Sequence, residues 1–182
     1  MRQKINNRPI VLLIAALVLL SGIMVWHYVT PTKKVEQAAL QVAETAALVR
    51  RHYASKVDYW GLNTQSAVDN NILTNLSYHK GRLTNALGKP VLIGSGENGE
   101  TVMPGERSFD VVYSELSMGE CVALAAYRFE RPEELGLLQI TVVSGDNRQT
   151  FSWGEENYKL PVARQEAQKI CHKGSKVLWT IE

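Results

Sequence analysis

Apolar and polar positions divide this chain into unlike regions. From Ile10 to Val29, twenty consecutive positions carry no charged side chain, and Arg2, Lys4 and Arg8 stand before them. At a rise of about 1.5 Å per residue such a run reaches across a hydrocarbon core of about 30 Å, so the pattern predicts a membrane-spanning helix. The basic start orients the N-terminus toward the cytoplasm and residues 32–182 outward, with Trp26 and Tyr28 placed as an interfacial belt, although Lys33 and Lys34 weaken the bias. A cleaved secretory signal is the alternative, and it exports the same domain. The expected organisation is therefore a basic start and transmembrane helix over 1–31 and an exported head over 32–182.

The next region is amphipathic. Between Thr32 and about Lys56, Val35, Ala39, Val42, Ala46, Val49 and Tyr53 recur at alternating spacings of four and three, which puts them on one helical stripe. Lys34, Gln37, Gln41, Glu44 and Arg51 point elsewhere, so this helix is expected to lie along a sheet. Pro31 either bends one long helix at the junction or separates two.

Residues 57–82 mix turn formers with short apolar clusters and are expected to be loop, with one short helix over Ala67–Leu76 capped at Ser66. Strand-like runs follow at Pro90–Gly94, Ser108–Tyr113, Leu137–Val143, Thr150–Trp153 and Lys176–Ile181, separated by the turn-forming GSGENGE and VSGDNRQ. Met118–Phe129 and Pro161–Cys171 are expected as helices. The result is an α+β domain: a long N-terminal helix packed on an antiparallel sheet.

Charge and chemistry change this picture little. The net charge of +2 gives no case for nucleic acid. Cys121 and Cys171 are the only cysteines and have no C-x-x-C partner, so a zinc site or a redox dithiol does not fit; in an exported domain one disulfide between them is expected. His27 falls in the apolar run, while His52, His79 and His172 stand apart without metal-ligand spacing. Glu97, Glu100, Glu106, Asp110, Glu115 and Glu120 could supply a catalytic carboxylate pair only if the fold brought two of them together. The GSGENGE glycines lack nucleotide-loop spacing, and Ser95, Ser108 and Ser144 lack a nucleophile-elbow context. No enzyme, cofactor or metal is expected.

Three segments carry a family resemblance. Asn85-Ala86-Leu87-Gly88-Lys89-Pro90-Val91 resembles a turn leading into an early strand. Ser108–Tyr113, followed by Leu116 and by Cys121-Val122-Ala123-Leu124-Ala125, is similar to a strand and cysteine-bearing helix. Ala167–Trp179, with Cys171, resembles a second cysteine, turn and final strand. Together they resemble the type IVb pilins and their minor-pilin relatives. The resemblance implies a long helix, an α/β head and a disulfide in the C-terminal half. It also implies function by packing, with Ile10, Leu13, Leu17, Leu20 and Met24 on a membrane and assembly helix.

Its expected partners are the inner membrane, other pilin-like subunits and pilus or secretion assembly proteins, and its expected location is a single-pass inner-membrane protein with a periplasmic head. Tyr59, Trp60, Leu62 and the Gly94–Met103 loop are the candidate partner contacts. Asn6-Asn7-Arg8-Pro9 and the acid-free helix stand where the family carries a processing glycine and a helix glutamate. That departure points to a minor, tip or initiating component; the alternative is an anchored binding or assembly module outside the filament.

Overall fold

The alternating apolar stripe folds as predicted. In the computed structural model, which describes residues 33–154 and 159–182, helix α1 runs over residues 33–53 and buries Ala39, Val42, Ala46, Val49 and Tyr53. Alanines at this face let the helix backbone approach the sheet, and the Tyr113 hydroxyl donates to the Ala38 carbonyl at 2.8 Å. Residues Val35–Glu182 form one compact unit.

Beyond α1, the chain forms helix α2 (Thr64–Asp69), a hairpin of β1 (Ser77–His79) and β2 (Arg82–Thr84), then β3 (Val91–Gly94) and β4 (Phe109–Leu116). Helices α3 (Met118–Ala125) and α4 (Pro132–Leu135) follow, then β5 (Leu137–Ser144), β6 (Asn147–Ser152), helix α5 (Arg164–Ile170) and β7 (Ser175–Ile181). Strands β3 to β7 make a five-stranded sheet in the order β3-β4-β7-β5-β6, every pairing antiparallel. The last strand sits at its centre, so closing the sheet requires the whole sequence from β3 onward.

The side chains alternate as a pleated strand requires. Phe109, Val111 and Tyr113 of β4, with Val177, Trp179 and Ile181 of β7, share one buried cluster with the α1 stripe. Val112, Leu178 and Val143 face the other way and form a second, smaller cluster. That outer face is covered by the turn after β3: Gly96 N–H donates to Asp110 Oδ2 at 2.7 Å, Lys176 Nζ donates to Asn98 Oδ1 at 3.2 Å, and Arg148 approaches Glu97 at 3.8 Å.

Cys121 on α3 is bonded to Cys171 at the end of α5, with Cα atoms 5.8 Å apart and both residues buried. The disulfide ties the segment after β4 to the entry of β7. The expected α+β architecture, helix on antiparallel sheet with a disulfide in the C-terminal region, is the observed one.

Several boundaries differ. The short helix begins at Thr64 and is capped by Asn63, whose side chain accepts from Ser66 N–H while Ser66 Oγ accepts from Asn63 N–H; Ser66 is the reciprocal partner and not the cap. Asn70 caps its C-terminal end, and Asn71 follows with φ of +51°, well before Leu76. The helix from Met118 stops at Ala125, short of Phe129. Within 57–82 the hairpin of β1 with β2 replaces part of the expected loop, turning at Lys80 and Gly81, both with positive φ.

Among the described residues no helix is long and apolar enough to cross a membrane. The one long helix, α1, carries Lys33, Lys34, Glu36, Glu44, Arg50 and Arg51, and its apolar stripe is consumed by the head's own core. This finding overturns the expected transmembrane helix, the inner-membrane partner and the single-pass location. The run that prompted them, with Ile10, Leu13, Leu17, Leu20 and Met24, and the bend at Pro31 lie outside the described residues.

Candidate functional site

No catalytic constellation assembles from the candidate side chains. Among the described residues no group of three or more histidines, cysteines or carboxylates could hold a metal ion. His52 is exposed and packs at a tilt against Tyr53 with ring centroids 5.2 Å apart; His79 is exposed at the end of β1 and His172 is exposed after α5. Five of the six candidate carboxylates are occupied structurally, Glu97 by its approach to Arg148. Asp110 holds the outer turn, Glu115 pairs with Arg82 at 2.9 Å, and Glu106 accepts from Met103 N–H at 3.1 Å. Glu120 completes a capping box with Ser117 and lies 3.5 Å from Lys89. Burial alone would raise its pKa, but the Ser117 hydrogen bonds and the Lys89 charge hold it below the ordinary carboxylate value.

What the head presents instead is surface for contact. Tyr59 N–H donates to the Glu106 carbonyl and Gly61 N–H to the Val102 carbonyl, so the stretch after α1 is tied to residues 102–106. Asp58 fastens the same pair, accepting from Trp60 N–H at 3.2 Å and from Gly105 N–H at 2.8 Å. The result is a fixed protrusion on which Val57, Trp60 and Met103 are 86%, 64% and 61% exposed.

Of the predicted contact residues, Trp60 is therefore on the surface. Tyr59 is half-buried, its ring edge-on to Phe109 at 4.8 Å. Leu62 is fully buried and is corrected from partner contact to core residue: its carbonyl accepts from Val102 N–H, which pins it inward. The Gly94–Met103 loop divides likewise, its first half folded over the sheet and Met103 outward.

Beside the protrusion lies a surface cavity of about 280 Å³ lined by Arg50, Tyr53, Lys56, Asp58, Tyr59 and Arg107 among others. Lys56 Nζ sits 4.1 Å from the centre of the Tyr53 ring, and burial, then the Asp58 charge, raises the Tyr53 pKa. Neither Lys56 nor Arg107 has a carboxylate partner among the described ion pairs.

A larger groove, of about 450 Å³, runs along α1. Its floor is Leu40, Ala43 and Ala47, and its far wall is Tyr127 and Phe129, which pack edge-on at 5.1 Å. Glu36 and Glu130 stand at its rim without a basic partner among the described residues, while Glu134 is paired with Arg131 at 2.8 Å. Burial, then these two carboxylates, raises the Tyr127 pKa. Arg50 closes one end of the groove. Its guanidinium donates to the carbonyls of Glu182 (2.6 Å), Glu134 (2.8 Å) and Leu135, tying α1 to α4 and to the end of β7. Sequence reasoning missed this groove because its wall, Tyr127 and Phe129, lies in the stretch 126–129, which the helix was expected to occupy.

A helix laid on a five-stranded antiparallel sheet, with a disulfide clamping the region before the last strand, defines a pilin-like fold. It is shared at low identity with solved pilins. A type IVb pilin from Salmonella typhi matches with a TM-score of 0.50 at 12% identity, covering 80% of this chain and 97% of that one. TcpA, a type IV pilin from Vibrio cholerae El Tor biotype, matches with a TM-score of 0.54 at 14% identity, covering 82% and 99%. No curated protein sequence matches. Residues 30–178 match the bundlin family, and the chain belongs to that family. It is a pilin-like structural protein, distantly related to the type IVb pilins.

Proposed function

We propose that this chain is a subunit of a type IV pilus or related secretion filament, in a minor, tip or initiating position. The observation that carries the reading is the bundlin-family match over residues 30–178, from before α1 into β7, so that the whole described head belongs to the pilin class. The head's own surface supports it: Asp110, Glu106 and Glu120 hold turns and a cap, and the distinctive surfaces are apolar and suited to protein contact. Repeated contact between unlike faces of successive copies does not close on itself and builds a filament. The minor position is supported by the sequence before the apolar run, where Asn6-Asn7-Arg8-Pro9 replaces a processing glycine, and by the acid-free Ile10–Val29.

The test is quantitative recovery of the chain in filaments sheared from cells, beside filament counts in a strain lacking it. Sub-stoichiometric recovery with a loss of filament number supports a minor or initiating subunit. Recovery as the dominant subunit refutes the minor position, and absence from filaments whose number is unchanged refutes the whole reading.

A further inference from the structure

The protrusion and the groove complement one another. The protrusion presents Val57, Trp60 and Met103, each more than half exposed, with Lys56 and Arg107 beside them, neither in an ion pair among the described residues. The groove presents an apolar floor and wall, with Glu36 and Glu130 at its rim, neither in an ion pair among the described residues. Large exposed apolar side chains rimmed by charge mark contact sites, and tryptophan is the residue type most often found as an interface anchor. The backbone bonds of Tyr59 and Gly61 and the Asp58 tether fix the protrusion to residues 102–106. It therefore cannot swing into the groove of its own chain.

We propose that the groove between α1 and Tyr127–Phe129 is the docking site for a second copy of this chain, whose Val57–Trp60–Met103 protrusion it receives. Lys56 and Arg107 of the incoming copy meet Glu36 and Glu130 at the rim, which sets the register and disfavours docking of groove to groove. The contact joins unlike surfaces that lie next to each other on the head, Arg50 lining both. This assignment rests on the filament-subunit reading and requires at least two adjacent copies, as in a minor or initiating complex and not a single-copy tip; the contact itself is tested separately.

The chain's cysteines are bonded to each other, so an introduced thiol reacts alone. Full-length chain carrying Val57→Cys is mixed with full-length chain carrying Ala47→Cys, and the cross-linked heterodimer is measured with a short bis-maleimide. The same yield is then measured in backgrounds carrying Glu130→Lys, Arg107→Glu or both on every copy.

A mixed cross-link is expected, reduced about tenfold by either reversal and largely restored by the two together. Both altered positions are exposed, so folding survives the changes. Filaments that assemble without the mixed cross-link, or a double reversal no better than the singles, would overturn this contact while leaving the filament reading intact. An equal cross-link between two Ala47→Cys copies would overturn it in favour of groove-to-groove pairing. A charge-dependent mixed cross-link in a chain never recovered from filaments would keep the contact and sink the filament reading.

Discussion

Removing the cross-link between α3 and α5 tests how the head holds its last strand. Cys121 and Cys171 are separated by 50 positions, and the loop they close contains α4, β5, β6 and α5. Restoring that loop's freedom to the unfolded chain is worth about 4 kcal/mol at 25 °C by loop-closure entropy. A single domain is stable by about 5–15 kcal/mol in total, so the loss is a large share, equivalent to a fall of about 8–16 °C in Tm for a unit of this size. Alanine is the appropriate replacement at both positions, because both residues are fully buried and a serine hydroxyl would add the cost of an unpaired polar group.

The assay is urea unfolding of the Cys121→Ala/Cys171→Ala chain, followed by tryptophan fluorescence, against the oxidised and the reduced parent. The double variant and the reduced parent are expected to lose about the same stability, and a protease is expected to cut the 126–163 stretch sooner in both. A loss under about 1 kcal/mol in the double variant, with unchanged protease resistance, would show that packing of α3 on α5 already holds the loop and would refute the clamp.

Three further outcomes follow from named contacts. Arg50→Met keeps the aliphatic stem but frees three carbonyls, and is expected to cost about 2 kcal/mol in denaturant unfolding, a stability within 0.5 kcal/mol of the parent being the refuting result. Gly94 has φ of +148°, and a Cβ there would lie 2.1 Å from the Glu100 carbonyl oxygen, so Gly94→Ala is expected to destabilise by about 2 kcal/mol or more; a neutral variant would show that the outer turn shifts freely. Glu120 has a lowered pKa in the folded head, so its contribution is present at neutral pH and is lost as pH falls below the ordinary value of 4.5 and through the lowered one. Glu120→Gln is expected to flatten that part of the stability–pH curve and to weaken the α3 cap by about 1 kcal/mol, and an unchanged acid limb would refute the assignment.

The long periodic elements were legible because their hydrophobic spacing and their burial have the same cause. The α1 stripe, β4 and β7 each carry enough apolar side chains to be fixed by the core they build. The resemblance carried by Asn85, Cys121 and Cys171 was also sound: Asn85 Oδ1 accepts from Leu87 and Lys89 N–H, the tight turn that delivers β3. What could not be read were positions decided by partners distant in sequence. Gln41 was placed on the polar side of its helix, yet its amide donates to the Asn75 carbonyl and its oxygen accepts from Ala86 N–H, tying α1 to two loops. Leu62 was expected as a partner contact beside Tyr59 and Trp60, whereas its pairing with Val102, forty positions on, turns it inward.

Helix α1 departs from simple amphipathicity at one position, and that departure bears on function. A helix that packs on a sheet needs a single apolar stripe, and Val35 through Tyr53 supply it. Leu40 stands off that stripe and is 49% exposed, with Ala43 and Ala47 following it along the groove floor. Leucine there is only half covered by the head itself, and a polar residue would serve solubility better; where local patterning and the isolated fold disagree, a partner outside the fold accounts for it. Leu40→Gln accordingly separates two accounts of the groove. If the groove is only the incidental edge of the core, the variant folds and cross-links like the parent; if it receives the protrusion of another copy, stability is unchanged while the mixed Val57→Cys/Ala47→Cys cross-link falls.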